Sequence, residues 1–355
     1  MAFDLNKLLR PHILQLKPYS SARDEYSGKE GVFLDANENP FGSITKDDHN
    51  RYPDPYQQAL KGKISEIKGV SSDQIFLGNG SDEAIDLLMR AFCRPGKDNI
   101  IILPPTYGMY EVSADINDIA TKRVNLTSDF QLRPDAILDE VDENTKIIFI
   151  CSPNNPSGNK VNRQDIIKVI EGFDGLIVVD EAYIDFSDEP SFTTELSTFP
   201  NLLVMQTFSK AWGLASLRLG MAFASLEIIK ILNKIKPPYN ISGLTQETVL
   251  AAISDTSRMT KMVDEIMAER IYLQEAFEKM DLIKKIHPTH ANFLLVEVLA
   301  AKRTYDYLIE NQIIVRDRSK VTLCEECLRI SVGTREENDR LIQALVHCPV
   351  DLTIA

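Results

Sequence analysis

Basic side chains are in the minority: 39 Lys and Arg stand against 52 Asp and Glu, a formal net charge of −13. With no basic face and no helix-turn-helix segment in the sequence, this balance argues against a nucleic-acid partner, whose phosphates need a stripe of cations. No apolar run is long enough to cross a bilayer, and residues 1–10 hold no uninterrupted apolar core of signal-peptide length. The cysteines, Cys93, Cys151, Cys324, Cys327 and Cys348, are odd in number and irregularly spaced, which suits reduced thiols rather than a disulfide framework. Cys324 and Cys327 form a CxxC, but no second pair or nearby His completes a tetrahedral metal site, so packing or surface thiols are expected. Internal repeats and low-complexity tracts are absent as well. The expectation is a cytoplasmic protein that handles small metabolites, without metal, membrane or nucleic acid. A chain of 355 residues suggests two domains.

The chemistry concentrates in residues 207–220, TFSKAWGLASLRLG. Residues 202–205, LLVM, are an apolar run that fits a strand buried on both faces, and Lys210 follows within one turn. An amine there can form a Schiff base with a carbonyl compound if burial or neighbouring cations keep part of it neutral. Arg218 offers a planar fork suited to phosphate, and the Thr207 and Ser209 hydroxyls could add donors to the same group. A lone Lys and Arg would be ordinary surface charges, but in this chain several other strand ends carry polar groups of matching chemistry.

Residues 75–82, IFLGNGSD, read as a strand, a glycine turn and the start of an amphipathic helix with Ile85, Leu88, Met89 and Phe92 on one face. Gly78 and Gly80 permit close backbone approach, and the amides at Ser81 and Asp82 would favour an anion. Residues 99–103 form another buried strand and place Tyr107 at its carboxyl end, where open α/β sheets bind ligands. Residues 146–150 begin a further strand that runs into CSPNNPSG, whose prolines force a defined turn around Asn155. Residues 175–180, GLIVVD, end in Asp180. A carboxylate closing such an apolar run is costly to bury without a cationic partner, and a protonated pyridinium nitrogen would be one. Tyr183 follows closely enough to donate a hydrogen bond beside it.

Strands thus alternate with helical stretches over residues 75–224, and each strand end delivers a polar group, the pattern of a doubly wound α/β domain. Residues 236–244, KPPYNISGL, mark a boundary. The expected division is an N-terminal arm over residues 1–40 that joins the small domain, a large domain over 41–244, a single long linking helix over 245–280, and a small α/β domain over 281–355. In the arm, residues 33–41, FLDANENPF, read as a short strand entering a loop. In the small domain, strands are expected at residues 292–298, 313–315 and 328–332, a helix at 302–310, and a capping box at 334–337.

Ser209, Lys210, Gly213, Leu214, Arg218 and Gly220 match, position by position, the lysine motif S-K-x-x-G-L-x-x-x-R-x-G of fold-type I pyridoxal-phosphate enzymes, which the chain therefore resembles. With PYS, LDANENP, RYPDP, GNGSDE, PPTYGMY, SPNNPSG, VVDEAY, VRDRS and LRISVGTREEN in order, the resemblance to the histidinol-phosphate aminotransferase family covers nearly the whole chain. It implies a large, mostly parallel sheet domain with a small α/β domain, and pyridoxal 5'-phosphate carried on Lys210. Ser209 and Arg218 would hold its phosphate with Thr207 beside them, and Ser81 and Asp82 would form the other wall. Tyr107 would stack on the ring, Asp180 would pair with its nitrogen, and Asn155 and Tyr183 would bond its phenolic oxygen. Tyr52 would reach across a homodimer to the neighbouring phosphate. Arg329 would clamp the substrate anion, with Arg316, Tyr19 and Asn37 bordering the substrate; Arg318 reads as a solvent-exposed partner of Asp317 and Glu325.

The implied reaction moves an amino group between L-histidinol phosphate and 2-oxoglutarate, giving imidazole-acetol phosphate and L-glutamate, in histidine biosynthesis. Other readings stay open: an aromatic or broad-range aminotransferase, a threonine-phosphate decarboxylase-like lyase, and a non-catalytic cofactor-binding protein.

Overall fold

A computed structural model describes residues 3–19 and 31–349; Ser20 of the PYS triplet lies outside the described residues. Seven strands form the larger sheet: β1 (Ile75–Asn79), β2 (Asn99–Ile102), β3 (Ala120–Arg123), β4 (Thr145–Cys151), β5 (Leu176–Asp180), β6 (Leu202–Thr207) and β7 (Leu219–Ala224). Their order is β1-β7-β6-β5-β4-β2-β3. β3, β2, β4, β5 and β6 run parallel, and β7 lies antiparallel to both β6 and β1.

The central strands read as continuous apolar runs because both faces are covered. With a period of two, Ile148, Ile150, Ile177 and Val179 face one core layer, while Ile147, Phe149, Leu176 and Val178 face the other. The edge strand β3, with no fully buried residue, carries no such run, and the sequence gives no sign of a strand there.

The second sheet is wholly antiparallel, in the order β10-β11-β9-β8, from β8 (Ile283–Ile286), β9 (Phe293–Val298), β10 (Arg316–Asp317) and β11 (Cys327–Ser331). Helices Ser257–Phe277, Ala301–Glu310 and Arg335–Val346 cover one face of it through Leu273, Phe277, Leu308, Leu341 and Leu345. The Arg335–Val346 helix starts on the expected capping box between Thr334 and Glu337. The other face contributes Phe293 and Leu295 to the same layer as Ile150 and Tyr183, which seats this sheet over the carboxyl ends of β4 and β5. Close approach at Gly158 fixes the seat: its carbonyl accepts from the His290 amide at 2.7 Å, and a Cβ there would stand 2.4 Å from Thr289 Oγ1.

Four expectations need correction. Residues 245–280 form two helices, Gly243–Ala252 and Ser257–Phe277, rather than one. Asp255 Oδ1 accepts from the Ser257 amide at 2.9 Å and its hydroxyl at 2.6 Å, the local side-chain bonding by which Ser and Asp compete with helix. Residues 33–41 contain no strand, and the 313–315 segment pairs only from Arg316 onward. The arm's described helices, Leu5–Leu8 and Pro11–Gln15, pack on the large domain: Leu8, Leu9 and Ile13 join Phe92, Ile228 and Leu232, and the Arg10 amide donates to Ala91 O at 3.0 Å. A short apolar stripe found cover there and not on the small sheet.

Candidate active site

β1 passes directly into the helix Gly80–Phe92, whose start has no side-chain cap, so its first amides lack a side-chain acceptor. β7 runs alongside, and the Gly80 amide donates to Arg218 O at 2.7 Å. A Cβ on Gly220 would stand 2.4 Å from both Gly80 C and Ser81 N, so this approach requires glycine. Arg218, in the left-handed region at φ 52°, turns its guanidinium back over Gly80 and donates to Asp82 Oδ2 at 3.2 Å. On the third side the Thr207 and Ser209 hydroxyls are 3.0 Å apart, and the Ser209 amide donates to Thr207 Oγ1 at 3.1 Å. Uncapped amides, two hydroxyls and an exposed guanidinium thus surround one small space, an arrangement made for an anion.

Asp180, at the end of β5, is 3% exposed. Its Oδ2 accepts from the Tyr110 hydroxyl at 2.6 Å and its Oδ1 from the Ala182 amide at 3.1 Å. Among the described residues no cationic side chain lies within ion-pair distance of it, and burial pushes its carboxyl above the ordinary range despite the Tyr110 bond. A cation brought against Asp180 would reverse that. Tyr110 is itself fully buried and stacked on Phe149, with ring centres 4.6 Å apart. The sequence singles out Tyr107 and gives no sign of Tyr110, which lies one helical turn beyond it. Tyr107 donates to Asp82 Oδ1 at 3.2 Å and meets the Tyr110 ring edge-on at 5.5 Å.

Lys210 sits half-buried after β6, with Nζ 5.6 Å from the centre of the Tyr183 ring. Burial lowers its pKa first, and the charge of Arg329 lowers it further. Asn155 bridges the two sheets: its amide nitrogen is 3.5 Å from the Tyr183 hydroxyl, and its Oδ1 accepts from Arg329 Nη1 at 2.5 Å. Burial raises the Tyr183 hydroxyl well above its ordinary pKa, so it remains a donor.

These groups line one cavity of about 670 Å³ between the sheets. It gathers every predicted site residue except Tyr19, Asn37 and Tyr52. Tyr19 is 74% exposed and Asn37 is a left-handed loop residue at φ 54°. Tyr52 stacks on Tyr239 with ring centres 4.5 Å apart, away from this chain's own cavity. Arg316 lines the cavity from β10. So does Arg318, half-buried rather than a surface partner of Asp317: just past β10 its amide still pairs with Cys327 O of β11 at 2.9 Å, and residues two apart on an extended chain share a side. The thiols are free; Cys151, Cys324 and Cys327 are buried, and Cys151 sits in the cavity wall.

The chain matches the family model for aminotransferases of class I and II over residues 31–345. It is 56% identical over 345 residues to a histidinol-phosphate aminotransferase of Cytophaga hutchinsonii, covering 97% of this chain and 99% of that protein. Among solved structures it resembles the histidinol-phosphate aminotransferase of Clostridium acetobutylicum (TM-score 0.77, 25% identity, 84% of this chain and 90% of that one). It also resembles that of Sinorhizobium meliloti in complex with pyridoxal-5'-phosphate (TM-score 0.79, 22% identity, 95% and 96%). The fold is that of the fold-type I aminotransferases.

Proposed function

The chain belongs to the class I and II aminotransferase family, and from that premise we propose that it is a histidinol-phosphate aminotransferase that uses pyridoxal 5'-phosphate. The observation that carries the reading is one cavity holding an anion cup, a buried carboxylate short of a cation, and a lysine whose amine burial drives toward neutrality. These are the contacts that a phosphate, a pyridinium nitrogen and an aldehyde require. The residues fit the cofactor: Ser81, Asp82, Thr207, Ser209 and Arg218 for its phosphate, Tyr107 for its ring, Asp180 for its nitrogen, and Lys210 for the covalent bond. When bound, the cofactor supplies an electrophilic carbon and a ring that stores the electrons left behind by a proton.

The protein's own groups do the rest. Lys210 would hold the cofactor's aldehyde carbon and, with its amine free, would take the proton from the substrate's α-carbon through Nζ. Asp180, fixed by Tyr110, keeps negative charge where a ring nitrogen must stay protonated. Asn155 and Tyr183 would donate to the cofactor's phenolic oxygen. Arg329 and Arg316, cross-strand partners on β11 and β10, hold the substrate's phosphate and, in the second half of the cycle, a carboxylate of 2-oxoglutarate. We place the enzyme in the cytoplasm, in keeping with its unpaired thiols.

The test is a half-reaction. L-Histidinol phosphate added alone to the yellow, cofactor-loaded protein bleaches the visible band, and 2-oxoglutarate restores it. A persistent band sinks the substrate; carbon dioxide release from threonine phosphate would favour a lyase, and equal turnover of aromatic amino acids a broad-range enzyme.

We further propose a homodimer with shared sites, in which Tyr52 serves the partner's phosphate cup. Its support is position: Tyr52 stacks on Tyr239, half of it open to solvent, outside its own chain's cavity. Mixing Tyr52→Phe with Lys210→Ala subunits then rebuilds one intact site per hybrid, and activity exceeds that of either parent. Absence of any gain rules the sharing out.

A further inference from the structure

We propose that Arg318 is a third cation of the substrate-anion subsite and sets its preference for a doubly charged phosphate ester over a carboxylate. The inference rests on the proposed activity and adds a specificity-determining residue to it. Arg316 faces Arg329 across the β10–β11 ladder, and the Arg318 amide donates to Cys327 O at 2.9 Å, so the chain continues alongside β11 for two residues more. Residues two apart share a face, and all three guanidinium groups border the same cavity. Asp317, between them, is turned away and occupied: its Oδ1 accepts from the Ser319 amide at 2.8 Å and the Ser319 hydroxyl at 2.6 Å.

Positive charge on this wall is therefore unbalanced. Among the described residues, no carboxylate lies within ion-pair distance of Arg316, Arg318 or Arg329. Arg329 bonds Asn155, whereas Arg318 Nε is buried and has no acceptor. A buried charged donor without a partner costs free energy, so its retention calls for a ligand that supplies the acceptor. The cations also act on one another: burial lowers the pKa of Arg318 and of Arg329, and the charge of Arg316 lowers the first further and that of Arg318 the second. A carboxylate carries one charge and two oxygens, which the pair Arg316 and Arg329 already satisfies. A phosphate ester carries about −1.5 to −2 at neutral pH and three free oxygens. The third fork matches that extra charge and extra oxygen.

The experiment compares wild-type, Arg318→Gln and Arg318→Lys holoenzymes in single half-reactions with L-histidinol phosphate and with L-glutamate. Inorganic phosphate serves as competitor in the glutamate assay. Losing one charge-assisted hydrogen bond predicts that Arg318→Gln lowers kcat/KM for histidinol phosphate by about tenfold or more, mostly through KM. That loss should be at least about five times the loss for glutamate, and inorganic phosphate should inhibit about tenfold less tightly. Arg318→Lys, which keeps the charge without the fork, recovers part of both. Equal losses for the two substrates, or unchanged inhibition by inorganic phosphate, overturn the assignment. If wild-type enzyme does not bleach with histidinol phosphate, the proposed activity falls, while the phosphate arm still decides whether Arg318 binds a dianion.

Discussion

Lys210→Ala is expected to slow the half-reaction with either substrate by roughly 10⁴-fold or more, the upper end of what a positioned acid–base group supplies. Among the described residues that line the cavity there is no second amine; Asp82 is engaged by Tyr107 and Arg218, Glu111 by Arg123, and burial keeps the Cys151 thiol protonated. The arginines do not release protons in the working range. Burial holds the Tyr107 and Tyr183 hydroxyls protonated far above neutrality, and the Asp180 carboxyl in the cavity wall is already engaged by the Tyr110 hydroxyl and the Ala182 amide. Lys210 alone combines access with an amine shifted toward the neutral form, and the shift has a visible cause in burial and in Arg329. The anion cup is built from other residues, so the variant still retains cofactor without a covalent bond. Borohydride reduction should fix cofactor to wild-type protein and leave the variant unmodified, a readout independent of turnover. Activity above about one hundredth of wild type would assign the proton transfer elsewhere.

Much of this arrangement was legible in sequence because the central strands are covered on both faces and therefore read as unbroken apolar runs. Their last residues, Asp180 and Thr207, were legible as polar breaks in those runs, and Lys210 as the next cation after one. What escaped depends on contacts between distant segments. Tyr110 is an ordinary helix residue until the order β5-β4-β2 carries its hydroxyl to Asp180, 70 positions away. Arg318 looks like one of two charges flanking Asp317; only the pairing of β10 with β11, and the seat of that sheet on the larger one, turns it inward. The helix break near Asp255 is a local event, but Ser and Asp are tolerated within helices often enough that their presence did not force it. For the arm, nothing in the local sequence names the surface that receives Leu8, Leu9 and Ile13, since that depends on which distant apolar groups are left uncovered.

Asp180→Asn is expected to weaken cofactor retention and to lower the half-reaction rate, each by about 10²-fold or more, because removing one member of a buried charge pair typically costs about 3–5 kcal/mol. Without cofactor the same substitution should act in the opposite direction. Burial raises the folded-state pKa of Asp180 above its unfolded value, so the carboxyl binds its proton more tightly in the folded chain. Its contribution to stability is then fully present below the ordinary Asp value near 3.8 and is lost as pH rises through the raised folded-state pKa. Asparagine keeps the shape and has no charge to bury. The melting temperature of cofactor-free Asp180→Asn should therefore gain on that of cofactor-free wild type as pH rises from about 4 toward 8, the interval in which the unfolded carboxyl is ionised. Adding pyridoxal 5'-phosphate should reverse the ranking, since the wild-type carboxylate then meets a cation and the amide does not. Melting curves of both proteins, with and without cofactor across that range, measure this directly. If the cofactor-free variant melts lower at every pH, Asp180 is held for its hydrogen bonds to Tyr110 and Ala182 rather than kept as an unpaired charge awaiting a ring nitrogen.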